Sequence, residues 1–97
     1  MSRWLLERRL SDLAERLKRT KAELAVVDEQ LAFFAEAADE ARLRALVSET
    51  PLAERENHEA QKHADAMARE RAAILSSIAE LERSQDELLD RLVAESK

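Results

Sequence analysis

The sequence predicts an all-α fold, a long antiparallel two-helix coiled-coil hairpin that turns at about residues 48–50. Three observations predict it: the composition, two stretches of heptad-spaced apolar residues, and a single Pro between them. The chain has 97 residues and no Gly, and it is rich in Ala, Leu, Glu and Arg. These residues lose little entropy in a helix, whereas β-hairpin turns usually need Gly or Asn. We therefore expect a single hairpin domain over residues 1–97, with helix 1 at about 3–47 and helix 2 at about 51–95,.

Helix 1 is predicted by an unbroken heptad pattern. Its members are separated alternately by four and three positions, which places them in one seam along a helix. The seam consists of Leu6, Leu10, Leu13, Leu17, Thr20, Leu24, Val27, Leu31, Phe34, Ala38 and Ala41.

Helix 2 is predicted by a second seam with the same spacing. It consists of Ala64, Met67, Arg71, Ile74, Ile78, Leu81, Gln85, Leu88 and Leu92. Two of these positions, Arg71 and Gln85, are polar. For Arg71 we expect either a packed stem whose charge reaches Asp28 or Glu70, or a polar seam residue that fixes the register.

The turn is predicted by Pro51, which disfavours a helical Thr50 and fits the first position of a new helix. Thr50 is then the N-cap of helix 2, and Ser2 is the equivalent cap of helix 1. In an antiparallel hairpin the numbers of facing residues have a constant sum, which is 98 for these two seams and places Glu49 at the centre of the turn. The facing pairs are Leu6–Leu92, Leu10–Leu88, Leu17–Leu81, Thr20–Ile78, Leu24–Ile74, Leu31–Met67 and Phe34–Ala64.

Charge is unevenly distributed along the chain, whose net charge is −5. Residues 1–22 carry +4, residues 23–54 carry −6, and residues 72–97 carry −3. The predicted register brings the basic first block beside the acidic last block. Favourable i,i+4 pairs are expected within the helices. These pairs are Glu15–Arg19, Glu40–Arg44, Asp65–Arg69 and Glu87–Arg91.

Several large apolar residues lie outside the two seams. The predicted interaction face consists of Val26, Phe33, Leu75 and Leu89. The predicted second surface, at the tip, consists of Leu46, Val47, Glu49 and Leu52. These residues either widen the intramolecular stripe to three positions per heptad, or form a second interface. Such an interface would pair two hairpins as a four-helix bundle or dock one hairpin on a protein partner. Phe33 favours the second interface, because an exposed Phe surrounded by Ala suits docking.

No motif of a catalytic, cofactor-binding or metal site is found in the sequence. Phosphate-binding loops and nucleophile elbows need Gly, and thiol chemistry needs Cys, and both residue types are absent,. His58 and His63 are five positions apart and do not share a helix face, and the Glu-x-x-His motif of di-iron bundles is missing,. We therefore expect no enzyme activity, no small-molecule substrate, no cofactor and no metal.

Nucleic acid and membranes are not the partners that the sequence predicts. The basic residues of the first block face an acidic arm in a chain that is acidic overall, which argues against nucleic acid. These residues are Arg8, Arg9, Arg16, Lys18, Arg19 and Lys21. The apolar group Trp4-Leu5-Leu6 is only one helical turn long, which is short for membrane binding,. Apolar runs of transmembrane or signal-peptide length are also missing, so we expect a cytoplasmic protein.

Two resemblances extend these predictions. The turn sequence Arg-Leu-Arg-Ala-Leu-Val-Ser-Glu-Thr-Pro-Leu-Ala-Glu-Arg-Glu and the later Gln-Asp-Glu-Leu-Leu-Asp-Arg-Leu resemble short actinobacterial coiled-coil hairpin proteins. This resemblance spans the whole chain and implies a bacterial, cytoplasmic protein, but no activity. A long hairpin with an acidic tip also resembles the Gre-type transcription factors, which insert such a hairpin into the secondary channel of RNA polymerase. That resemblance covers the architecture only, because Glu49 is the one apical carboxylate and the family's second globular domain is missing.

The function predicted from the sequence is therefore a non-enzymatic coiled-coil interaction or scaffolding protein. It would act by self-association, as a homodimer, or by docking on a protein partner. The alternative is an RNA polymerase-binding transcription regulator that inserts the hairpin tip.

Overall fold

A computed structural model describes residues 2–96 and contains two α-helices and no β-strand in that range. Helix α1 spans Arg3–Ser48 and helix α2 spans Pro51–Glu95. Together they form the antiparallel helical hairpin predicted from the sequence, and α1 ends one residue later than expected. Met1 and Lys97, which complete the predicted domain, lie outside the described residues.

Both helices begin at the predicted caps. The Leu5 N–H donates to Ser2 Oγ and the Ala53 N–H donates to Thr50 Oγ1, each at 3.2 Å. These bonds satisfy N–H groups that have no acceptor within the first turn of a helix. Pro51 is the first residue of α2, where its missing N–H is harmless,.

The turn between the helices consists of Glu49 and Thr50. Glu49 has a φ of 48°, and its N–H donates to the Ala45 carbonyl at 3.1 Å. A left-handed residue directly after a helix is a common C-cap and is usually Gly, because a Cβ in this conformation costs about 1–2 kcal/mol. The chain therefore reverses without Gly, at a modest conformational cost carried by Glu49.

The hairpin consists of two packed units. The terminal unit contains α1 as far as Leu24 and α2 from Ile74 onward, and the turn unit contains Ala25–Ala73. In each unit the predicted seam is confirmed, since every predicted seam residue is buried or half-buried. Leu6 is fully buried in the terminal unit, and Val27 is 4% exposed in the turn unit.

The core is a narrow seam rather than a broad stripe. Buried and half-buried positions recur about twice per heptad along both helices, as in a two-stranded coiled coil,. Towards the turn, the buried residues are Ala38, Ala41, Ala45 and Ala53. Each of these buries little apolar area, so the seam near the turn is held by small side chains and by polar contacts.

Three cross-helix contacts in the turn unit establish the register. They are a hydrogen bond from Arg71 Nε to Asp28 Oδ1, stacking of the Phe34 ring on the His63 ring, and a 3.1 Å hydrogen bond from Gln61 Nε2 to the Ala38 carbonyl. The residue numbers of these pairs sum to 99, 97 and 99, around the predicted value of 98. Of the two predictions for Arg71, the first is confirmed: the residue lies in the seam and its guanidinium group binds the Asp28 carboxylate.

The ion pairs within the helices differ from the prediction. None of the four predicted i,i+4 pairs lies within 4.0 Å, and the pairs that form on α1 are Arg3–Glu7 at 3.1 Å and Arg42–Asp39 at 3.6 Å. Within the described part of the terminal unit, no ion pair joins α1 to α2. Exposed ion pairs contribute little to the free energy of unfolding, because two long side chains must lose conformational freedom to form them. The described contacts between the two helices of the terminal unit are therefore those of its buried seam residues, such as Leu6, Leu17 and Ile78.

Candidate functional site

The four residues of the predicted interaction face divide into two pairs with different surroundings. Val26 and Phe33 belong to α1 of the turn unit and are 55% and 67% exposed. Leu75 and Leu89 belong to α2 of the terminal unit and are 39% and 44% exposed. The two pairs belong to different units, and a single interaction face formed by all four residues stays a prediction.

The heptad positions explain this difference. Leu75 and Leu89 each follow directly after a seam residue, so they flank the seam and are partly covered by it,. With the seam residues at heptad positions a and d, Val26 and Phe33 occupy position c, which points away from the partner helix,. Leu75 and Leu89 therefore border the narrow seam, whereas more than half of the surface of Val26 and of Phe33 is uncovered.

Phe33 is held in place by an aromatic row that crosses the turn unit. Its ring meets the Phe34 ring edge-on, with centroids 5.4 Å apart and an interplanar angle of 83°. Phe34 in turn stacks on His63, with centroids 5.5 Å apart and an angle of 12°. From the sequence, His63 was considered only as a possible metal ligand, although it directly precedes Ala64, which the register places opposite Phe34. A ring supported in this way loses little conformational freedom when a partner covers it.

The tip carries a second set of exposed apolar side chains within the turn unit. Leu46, Val47 and Leu52 are each more than 60% exposed, and Glu49 is exposed beside them. Leu43, also exposed, extends this tip surface along α1. An open depression on the α2 side of the turn is lined by Glu49, Thr50, Pro51, Glu54, Arg55 and His58.

A polar network behind the tip was missed by sequence reasoning. The Gln61 side chain donates to the Ala38 carbonyl and also to Asn57 Oδ1, at 3.1 and 3.2 Å. Gln61 and Asn57 are i,i+4 neighbours, and that spacing is the signal that could have indicated the bond between them. The network ties α2 to the α1 backbone where the seam contains only Ala, so it supports the tip surface.

The terminal unit presents one exposed aromatic residue. The Arg8 guanidinium lies 5.8 Å from the centre of the Trp4 ring. This cation–π contact gives Arg8 a partner within its own helix. Val93, near the end of α2, is also exposed.

Within residues 2–96, no group of three His, Cys, Asp or Glu side chains is placed to hold a metal ion. No polar side chain in this range is buried, so the exposed carboxylates remain solvated. Neither helix, over the same residues, combines the length and the apolar character needed to cross a membrane. No protein-family model, curated protein or solved structure matches the chain.

Proposed function

We propose that this protein is a non-enzymatic interaction module of the bacterial cytoplasm that acts by self-association or by docking on a protein partner. The observation that carries the proposal is the position of Val26 and Phe33. They are large, apolar and outward-facing on a helix whose seam is already complete without them.

The energetics favour Phe33 as the anchor of such a contact. Burying a Phe side chain completely is worth about 1.5–3 kcal/mol. Because 67% of Phe33 is still exposed, a partner that covers it gains about two-thirds of that amount, roughly 1–2 kcal/mol,. Aromatic residues of this kind, held rigidly and surrounded by smaller contacts, carry much of the affinity in protein interfaces.

The tip surface supports the same class of function. Its exposed side chains are mainly aliphatic, and Glu49 is the only carboxylate at the apex of the turn. Such a surface favours packing into an apolar groove of a protein over the insertion of an acidic tip into RNA polymerase.

The experiment that tests the proposal removes the exposed apolar groups without disturbing the seam. In the double variant Val26→Ser with Phe33→Ser, we expect unchanged helicity and the loss of association. Association is measured by sedimentation of the purified protein, and by cross-linking with identification of partners by mass spectrometry. The matched control is Ala66→Ser with Ala73→Ser, two exposed positions seven residues apart on α2, where we expect no change.

Association that disappears in the Val26/Phe33 variant and survives in the control supports the proposal. Association that is equal in both variants, or a wild-type chain that binds neither itself nor another protein, contradicts it. A third variant, Leu46→Ser with Leu52→Ser, shows whether the tip surface contributes independently.

A further inference from the structure

Helix α1 is electrically polarised along its length. Its residues 3–24, in the terminal unit, carry seven basic and four acidic side chains, a net charge of +3. Its residues 25–48, in the turn unit, carry two basic and five acidic side chains, a net charge of −3. The two halves of one helix therefore carry equal and opposite net charge.

The exposed pair Val26 and Phe33 lies within a strip of unpaired carboxylates. Successive spacings of three, four, three and four place five residues on one face of α1: Val26, Glu29, Phe33, Glu36 and Glu40,. All three carboxylates are exposed, and none forms an ion pair with another described residue. This acidic face thus combines an apolar centre with three available negative charges.

The basic half of α1 offers the complementary surface. Arg9, Arg16 and Arg19 are spaced by seven and three, so they share a face of the helix,. Each is exposed, and none is paired with a carboxylate among residues 2–96. This basic face therefore has three guanidinium groups available, and Arg is the cation that pairs best with carboxylates at interfaces.

We propose that the partner of the acidic face is a second copy of this chain. Residues 25–48 of α1 in one copy pack antiparallel on residues 3–24 of α1 in the other. An in-register parallel pairing would instead place like charges together, which opposes association. This inference rests on the proposed function and names the partner, the orientation and the charges that select it.

The area of contact also favours a second copy. The shorter half of α1 has 22 residues and is about 33 Å long and about 10 Å wide, so one such contact covers roughly 330 Å²,. A single contact of this size falls well below the ~800 Å² that each partner contributes to a standard interface. A two-fold dimer makes the same contact twice, because residue i meets residue j and residue j meets residue i. That doubles the area to roughly 660 Å² per copy, close to the standard value.

The test reverses the charge of the acidic face in one variant and of the basic face in another, and then mixes the two variants. Glu29→Lys, Glu36→Lys and Glu40→Lys together make both halves of α1 basic. Arg9→Glu, Arg16→Glu and Arg19→Glu together make both halves acidic. We expect the wild type to be dimeric and each triple variant to be monomeric in sedimentation, with helicity unchanged in circular dichroism. An equimolar mixture of the two variants should form a heterodimer, because each half then meets its opposite charge. The wild-type affinity should also fall as salt is raised.

The matched control reverses three exposed carboxylates of α2, with Glu59→Lys, Glu80→Lys and Glu87→Lys. It introduces the same change of charge elsewhere, and we expect it to leave the dimer intact. A mixture that stays monomeric, or triple variants that still dimerise, would overturn the inference. A monomeric wild type that binds a different protein through Phe33 would overturn the inference while leaving the proposed function standing. A wild type that binds neither itself nor another protein would contradict both this inference and the proposed function.

Discussion

Val26 and Val27 are adjacent on α1 but differ in burial, which allows a closely matched pair of variants. Val27 is 4% exposed in the seam, whereas Val26 is 55% exposed on the outer face. Replacing either with Ala removes two methyl groups and gives the same gain in helix propensity. The difference between the two variants therefore reports the burial of the side chain alone.

The expected magnitude follows from these exposures. A buried methyl or methylene group is worth about 0.8 kcal/mol, so two groups are worth about 1.6 kcal/mol when fully buried. Val27→Ala loses nearly all of this, and Val26→Ala loses a little under half, about 0.7 kcal/mol. Both variants regain about 0.5 kcal/mol from the better helix propensity of Ala. We expect the free energy of unfolding to fall by about 1 kcal/mol in Val27→Ala and to stay nearly unchanged in Val26→Ala, with any cavity at Val27 widening the gap.

The assay is urea unfolding followed by far-ultraviolet circular dichroism. The titration is run first at a protein concentration so low that the urea midpoint no longer changes with protein concentration. Equal losses in the two variants, or a larger loss in Val26→Ala, would refute the seam assignment at this position. At higher concentration, Val26→Ala should become destabilising relative to the wild type, because association then adds to the measured stability.

Three further predictions concern the turn and the seam. Thr50→Ala should lower the free energy of unfolding by about 1 kcal/mol because it removes the cap on the Ala53 N–H,. Thr50→Ser should retain most of the stability, and equal effects in the same urea titrations would argue against the cap. Glu49→Gly should raise stability by about 0.5–1 kcal/mol, since Gly adopts the left-handed conformation without the cost of a Cβ,; a lower midpoint would contradict this. Asp28→Ala should cost less than about 1 kcal/mol, because its pair with Arg71 is substantially exposed,. Arg71→Ala should cost more than Asp28→Ala, because it also removes the stem from the seam; the reverse order of transition midpoints would contradict this account of Arg71.

The seam, the turn and the register could be predicted because each is set by local chemistry that repeats along the chain. The spacing of four and three is imposed by the geometry of the helix itself, and it runs from Leu6 to Leu92 with few polar members,. Pro51 disfavours helix at Thr50, and the constant sum of the facing residue numbers independently places the turn at Glu49,. Such agreement between separate signals is what makes a fold readable from its sequence.

The ion pairs, the aromatic stacking and the exposures of the off-seam residues could not be predicted. They depend on side-chain conformation or on the exact heptad position of each residue. The expected ion pairs Glu15–Arg19 and Glu40–Arg44 have suitable spacing, but exposed pairs gain too little to be fixed in one conformation. The stacking of His63 on Phe34 depends on two ring orientations that spacing does not determine. The predicted interaction face combined Val26 and Phe33 with Leu75 and Leu89 because all four lie outside the seams. Their exposures follow instead from heptad position, since Leu75 and Leu89 occupy position e beside the seam, whereas Val26 and Phe33 occupy position c on the outer side,.

Sedimentation equilibrium of the wild-type chain, over a range of micromolar concentrations, tests the central claim most directly. The chain has a mass of 11.1 kDa. We predict a mass that rises towards that of the dimer as concentration increases, and that returns to the monomer value in the Val26→Ser, Phe33→Ser variant. A clean 11.1 kDa monomer at every concentration would contradict the claim that the outer face of α1 joins two copies of this chain.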